Sequence, residues 1–157
     1  MNERKVANQL EALLDEELAA RGRTTTILRK QVQALRRKDR EEFAQCTQAI
    51  ELELSSNSER GQRRARIVAI LAGEWDIAPT ALTLASIATR LGEVGKGIAG
   101  KRAALREALA KELRANRLLG VLMGAERRLV RDLLRSIYGE DVERSLDGPG
   151  NLVDAQA

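Results

Sequence analysis

The sequence contains no histidine, so it lacks the commonest general base and the commonest metal ligand. Its one cysteine, Cys46, excludes a disulfide within the chain and suits a reducing compartment. Proline occurs only at positions 79 and 149, which leaves little to interrupt long helices. Aromatic side chains are limited to Phe43, Trp75 and Tyr138. A core without stacked rings must be made of Leu, Ile, Val and Ala, and that suits thin helical hairpins better than a thick globular core. No apolar run approaches the roughly 20 residues of a membrane span. Glu3, Arg4 and Lys5 lead straight into an alternating pattern, unlike the apolar stretch of a signal peptide. The expectation is a soluble, cytoplasmic, non-enzymatic protein with no cofactor and no metal.

What remains is dominated by Leu, Ala, Glu and Arg, all good helix formers. The 157 residues carry 27 basic and 23 acidic side chains, a net charge of +4. The expected class is all-α: an elongated antiparallel helical hairpin, a short helix and a long C-terminal helix, in a three-to-four-helix bundle.

Val6, Leu10, Leu13, Leu14 and Leu18 recur at helical spacing, and Ile27, Leu28, Val32 and Leu35 resume the stripe. This predicts a first helix over about 3–38. Gly22 and Thr24 to Thr26 weaken its middle, where a break is the alternative reading. Asp39 and Glu42 have capping-box spacing ahead of Phe43, so the second helix starts there and the two form a hairpin. The second helix carries Phe43, Cys46, Ile50 and Leu54, a polar stretch over 55–61, then Ile67, Val68, Ile70 and Leu71. In a hairpin turning at Asp39, the soft section near Arg21 lies opposite Asn57. Gly73 is the expected C-cap. Thr83 is the expected N-cap of a short helix, Leu84 to Leu91. Gly92, Gly95, Gly97 and Gly100 mark a hinge or mobile loop. The last helix is expected from about 98 to Tyr138. Leu105, Leu109 and Leu113 supply its bundle-facing stripe. A second, wider stripe runs from Leu118 to Ile137, broader than one neighbouring helix covers. Residues 1–138 are read as one domain. Residues 139–157, with Arg144 against Glu140, Asp141, Glu143, Asp147 and Asp154, are read as a flexible acidic tail.

Candidate chemistry is sparse. Adjacent carboxylates such as Asp15, Glu16 and Glu17 point in different directions on a helix and read as a solvated face. Gly95-Lys96-Gly97-Ile98-Ala99-Gly100-Lys101 superficially resembles a phosphate loop but lacks the Gly-Lys-Ser/Thr ending and a preceding strand. The arginine clusters at Arg21/Arg23, Arg36/Arg37/Lys38 and Arg60/Arg63/Arg64/Arg66 invite nucleic acid, but acids are interspersed and stacking aromatics are scarce, so no nucleic-acid partner is expected. Cys46 reads as a small buried apolar residue. Trp75 and Tyr138 are divided between packing and partner contact. The wide Leu/Met stripe of the last helix is the strongest feature, since such a face suits an amphipathic helix of a partner.

In this order of elements the chain resembles the FlgN family of flagellar export chaperones, over most of residues 8–139. The resemblance rests on Leu10-Glu11-Ala12-Leu13-Leu14-Asp15-Glu16-Glu17-Leu18, on Lys38-Asp39-Arg40-Glu41-Glu42-Phe43 and on Thr83-Leu84-Ala85-Ser86-Ile87-Ala88. Its strongest piece is Leu113-Arg114-Ala115-Asn116-Arg117-Leu118-Leu119 running on to Leu133-Leu134-Arg135-Ser136-Ile137-Tyr138-Gly139. The resemblance implies a cytoplasmic chaperone that uses no nucleotide, binds C-terminal helical segments of hook–filament junction proteins (FlgK and FlgL) and delivers them to the flagellar type III export gate. It further implies cargo binding by Leu118, Leu119, Leu122, Met123, Leu129, Val130, Leu133 and Leu134, and gate docking by Tyr138. Without cargo, the exposed face is a candidate for homodimerisation, and a self-associating coiled-coil adaptor is the alternative function.

Overall fold

A computed structural model of the protein describes residues 3–138, and these are helical almost throughout. The order is α1 (Glu3–Arg37), α2 (Arg40–Trp75), a 3-10 turn at Pro79–Ala81, α3 (Leu84–Leu91), a second 3-10 turn at Gly92–Gly95, and α4 (Lys96–Tyr138). The chain divides into two compact units, Met1–Leu119 and Gly120–Ala157. The boundary lies inside α4. The proposed acidic tail, 139–157, lies outside the described residues.

The hairpin turn forms where the sequence put it. Lys38 takes a left-handed conformation (φ 58°), and the Asp39 and Lys38 amides donate back to Ala34 and Leu35 at 2.9 and 3.1 Å. This closes α1 in the Schellman manner. The Asp39 carboxylate then accepts from the Glu42 amide at 3.0 Å and caps α2. The Glu42 side chain does not complete a capping box but pairs with Arg37 across the turn.

Both soft sections are unbroken helix. Arg21 donates to Asn57 at 3.0 Å, Arg23 to Glu53 at 2.6 Å, Gln31 to Thr47 at 2.9 Å and Arg63 to Glu16 at 2.6 Å. Every one of these pairs is centred within a residue or two of Asp39, so α1 and α2 run antiparallel in constant register. Arg21, Arg23 and Asn57, in or beside these soft sections, make contacts across this seam, while Thr24 and Thr26 donate to carbonyls of their own helix. Glu17 and Arg60 are buried in it.

The apolar core lies at the far end from the turn. Val6, Ala7, Leu10 and Leu14 of α1 meet Leu71 of α2, Ile87, Ala88 and Leu91 of α3, and Ile98 of α4. Each fully buried Leu or Ile there contributes about 1.5–3 kcal/mol. α2 ends later than Gly73 suggested. It continues to Trp75, and Asp76 takes the left-handed position (φ 52°) while the Ile77 amide reaches back to Ala72 at 3.0 Å. Asp tolerates that conformation, so no glycine is required. Thr83 caps α3 as expected, in a reciprocal box with Ser86.

The glycine-rich stretch is not an open loop: it forms the 3-10 turn Gly92–Gly95 and the first residues of α4. Gly92 takes φ +57° to leave α3, and Gly95 is buried, with its backbone set so closely on Ala88 that a Cβ would collide with the Ala88 carbonyl. Lys96 pairs with Glu93 at 2.6 Å and opens α4, so the phosphate-loop likeness also ends in helix. Gly95 permits a close backbone approach and Gly92 a positive φ, while Gly100 lies in open space within α4. Gly95→Ala is expected to cost about 1–3 kcal/mol by overpacking, read from the midpoint of urea unfolding. An unchanged midpoint would contradict this packing role.

Candidate apolar binding face

The binding residues inferred from sequence fall in both units. Leu118 and Leu119 belong to the first. Leu119 is buried, with 7% exposure, and is a packing residue there. Leu118 is exposed beside Arg114 and Ala115. In the second unit Met123, Leu129, Val130 and Leu133 are exposed, the last three by 59%, 54% and 53%, while Leu122 and Leu134 are half-buried. Tyr138 ends α4, and its side chain is outside what the structure describes.

At 3.6 residues per turn, Leu122, Met123, Val130, Leu133, Leu134 and Ile137 lie within about 60° of one line along α4. Leu129 borders this strip on one side. Arg127 and Arg131, one turn apart, border it on the other, and Glu126 lies within it. Ile137 is 68% exposed and belongs to the face, although residue matching to the family did not select it. Its signal was present in the sequence as the last member of the wide stripe. Val121 is exposed as well. A helix segment with this much uncovered apolar surface is not a packed core element among the described residues.

The division of labour along α4 differs from expectation. Leu105 packs on the core cluster as predicted, but Leu109 is exposed and Leu113 is 58% exposed. Lys101 pairs with Asp15, and Glu112 accepts from Arg21 at 3.0 Å. Ion pairs therefore hold this part of α4 to α1, and in the same direction along both helices.

The arginine clusters are also largely accounted for by pairing. Arg64 donates to Glu17 at 2.9 Å, and Arg60 lies 3.9 Å from both Glu17 and Glu53. The hydrogen bond from Arg23 holds the Glu53 carboxyl below its ordinary value of 4.5, and Arg63 does the same to Glu16. A folded-state value below the unfolded one stabilises the hairpin fully above the unfolded value, and the gain is lost as pH falls through the folded one. The melting temperature is therefore expected to drop as pH falls below 4.5, with a shallower drop in Glu53→Gln. Circular-dichroism melts across pH check this, and identical slopes would refute the assignment.

Cys46 is buried, and burial raises its thiol pKa, in keeping with a packing role. Trp75 is half-buried against the core, with the Arg90 guanidinium 5.1 Å from its ring centre. Among the described residues no group of His, Cys, Asp or Glu is arranged to hold a metal ion, and no helix is long and apolar enough to cross a membrane. Comparison with known proteins finds no matching family model, no matching curated protein and no matching solved structure.

Proposed function

We propose that the protein is a carrier for amphipathic helical tails: a cytoplasmic flagellar type III export chaperone that binds the C-terminal helical segments of hook–filament junction proteins of the FlgK and FlgL type and passes them to the export gate. The observation that carries this reading is the uncovered apolar face of α4 between Leu122 and Ile137. A cargo segment that folds as it binds would lay its own apolar stripe along that face, covering sticky surface on both chains before assembly. The family resemblance supplies the identity of the cargo, and the face supplies the mode of capture. Glu126, inside the strip, favours a cargo that sets a cation or hydroxyl against it, because a buried carboxylate without a donor is costly.

Titration calorimetry with such cargo tails tests the reading. Binding with a negative heat-capacity change is expected from apolar burial. Absence of binding to any junction-protein tail, with concentration-dependent self-association by sedimentation instead, would favour the coiled-coil adaptor. Tyr138 is the proposed gate contact. Tyr138→Ala should leave cargo affinity unchanged and reduce cargo secretion in cells, and normal secretion would remove that role.

A further inference from the structure

We propose that the groove between α1 and α4 within the first unit is a second docking site, for an acidic amphipathic segment of a partner protein. This inference does not depend on the chaperone reading. The groove encloses ≈ 440 Å³. On α1, Arg29 and Arg36 stand two turns apart with Val32 between them. On α4, Lys111 and Arg114 are followed at matching spacing by Ala115 and Leu118. Each helix thus offers one i, i+3, i+4, i+7 face, in which cations stand beside Val32, Ala115 and Leu118, with Gln33 as the one neutral polar member.

Four cations and no carboxylate line this groove. Lys111 is tied to Glu107 one turn away at 2.7 Å. Arg29, Arg36 and Arg114 form no ion pair among the described residues. The contrast is with the α1/α2 seam, where Arg23, Arg63 and Arg64 are each set against a glutamate. Arg36 is explained by the negative end of the α1 dipole, but Arg29 is mid-helix and has no such reason to be there. Concentrated like charge around an apolar trough is relieved by a ligand that brings acids and an apolar stripe together.

The floor decides between ligand classes. Val32, Ala115 and Leu118 offer nothing for base stacking, and a phosphodiester chain has nothing to fill an aliphatic trough. An amphipathic helix fills it, using anchors at the same i, i+3, i+4, i+7 spacing and acids on its flanks. The two turns between Arg29 and Arg36 span about 10 Å, enough to seat two turns of such a helix.

The test is fluorescence anisotropy of the full chain with a labelled peptide of about 15 residues built from Glu-Ala-Leu-Leu blocks, long enough to hold a helix. Saturable binding is expected, weakened about tenfold or more by Arg29→Glu with Arg114→Glu. The same variant should bind the Lys-Ala-Leu-Leu counterpart better than the wild type does. Leu52→Asp, at an exposed position of α2 that lines neither this groove nor the apolar face of α4, should change affinity for the acidic peptide by less than about twofold. Helical content by circular dichroism should be equal in both variants, and the neutral pair Arg29→Gln with Arg114→Gln should give an intermediate loss. The proposal is overturned if charge reversal leaves affinity unchanged, or if Leu52→Asp brings a loss as large. It is equally overturned if a Glu-Ala-Ser-Ser peptide or a short DNA duplex binds as tightly, because the cations would then attract any polyanion.

Discussion

Replacing Glu17 by Leu is expected to destabilise the hairpin by about 3 kcal/mol, more than any other single change in its charged seam. Glu17 is 4% exposed and accepts from Arg64 at 2.9 Å, with Arg60 beside it at 3.9 Å. Arg60 is itself buried, and its Nε and one terminal nitrogen lack hydrogen-bond partners. Removing Glu17 deletes one of the two carboxylates flanking a buried guanidinium and leaves that charge poorly compensated. The reverse change is milder. Arg60→Leu leaves Glu17 with Arg64 and Glu53 with Arg23, so both carboxylates keep donors. Its long contacts of 3.9 Å mean that little hydrogen bonding is lost. The double replacement, Glu17→Leu with Arg60→Leu, removes the desolvation cost of both groups and is expected within about 1 kcal/mol of the wild type, or above it. A double-mutant cycle in urea reads all three values. Equal losses for the two single variants, adding fully in the double, would show that the pair is not coupled.

That seam also marks where the sequence stops being legible. The turn at Asp39 and the cap at Thr83 can be read in advance because each is decided within a few residues, by a side-chain oxygen that satisfies a nearby amide. The antiparallel register follows from the turn, and so the opposition of Arg21 and Asn57 follows as well. The burial of Arg60 is different. Glu17 and Gln31 occupy interior positions that a hydrophobic pattern assigns to solvent, because their partners, Arg64 and Thr47, are on another helix, while the buried Thr24 donates to the Ala20 carbonyl of its own helix. Glycine misleads for a related reason. It serves both loose loops and close backbone contacts, and only the position of Ala88 shows that Gly95 serves the second. The stripe of α4 is visible as a pattern, but the pattern does not reveal which part is covered. Leu119 is packed while Leu113, six residues earlier, is exposed. Periodicity alone assigns Leu113 to the bundle, yet the neighbouring contact to α1 is made by the Glu112 carboxylate with Arg21.

Substituting Asp for both Val130 and Leu133 is expected to weaken capture of a helical cargo tail by about 100-fold or more, with no loss of fold. Both side chains are more than half exposed, so the folded protein gives up little packing when they change. The unfolding midpoint of the variant is therefore expected to match the wild type. In the complex these positions would lie in the centre of the contact, flanked by Leu122 and Met123 on one side and by Leu134 and Ile137 on the other. Two carboxylates there would have to be desolvated without donors, beside the existing Glu126. The nearest cations, Arg127 and Arg131, border the strip rather than cross it, so they do not neutralise its middle. Truncation offers the complementary control. Val130→Ala with Leu133→Ala removes apolar contact without adding charge, and its smaller loss separates lost burial from the desolvation penalty. A variant that binds cargo tails as the wild type does, measured by the same calorimetry, would move the binding surface away from this face of α4.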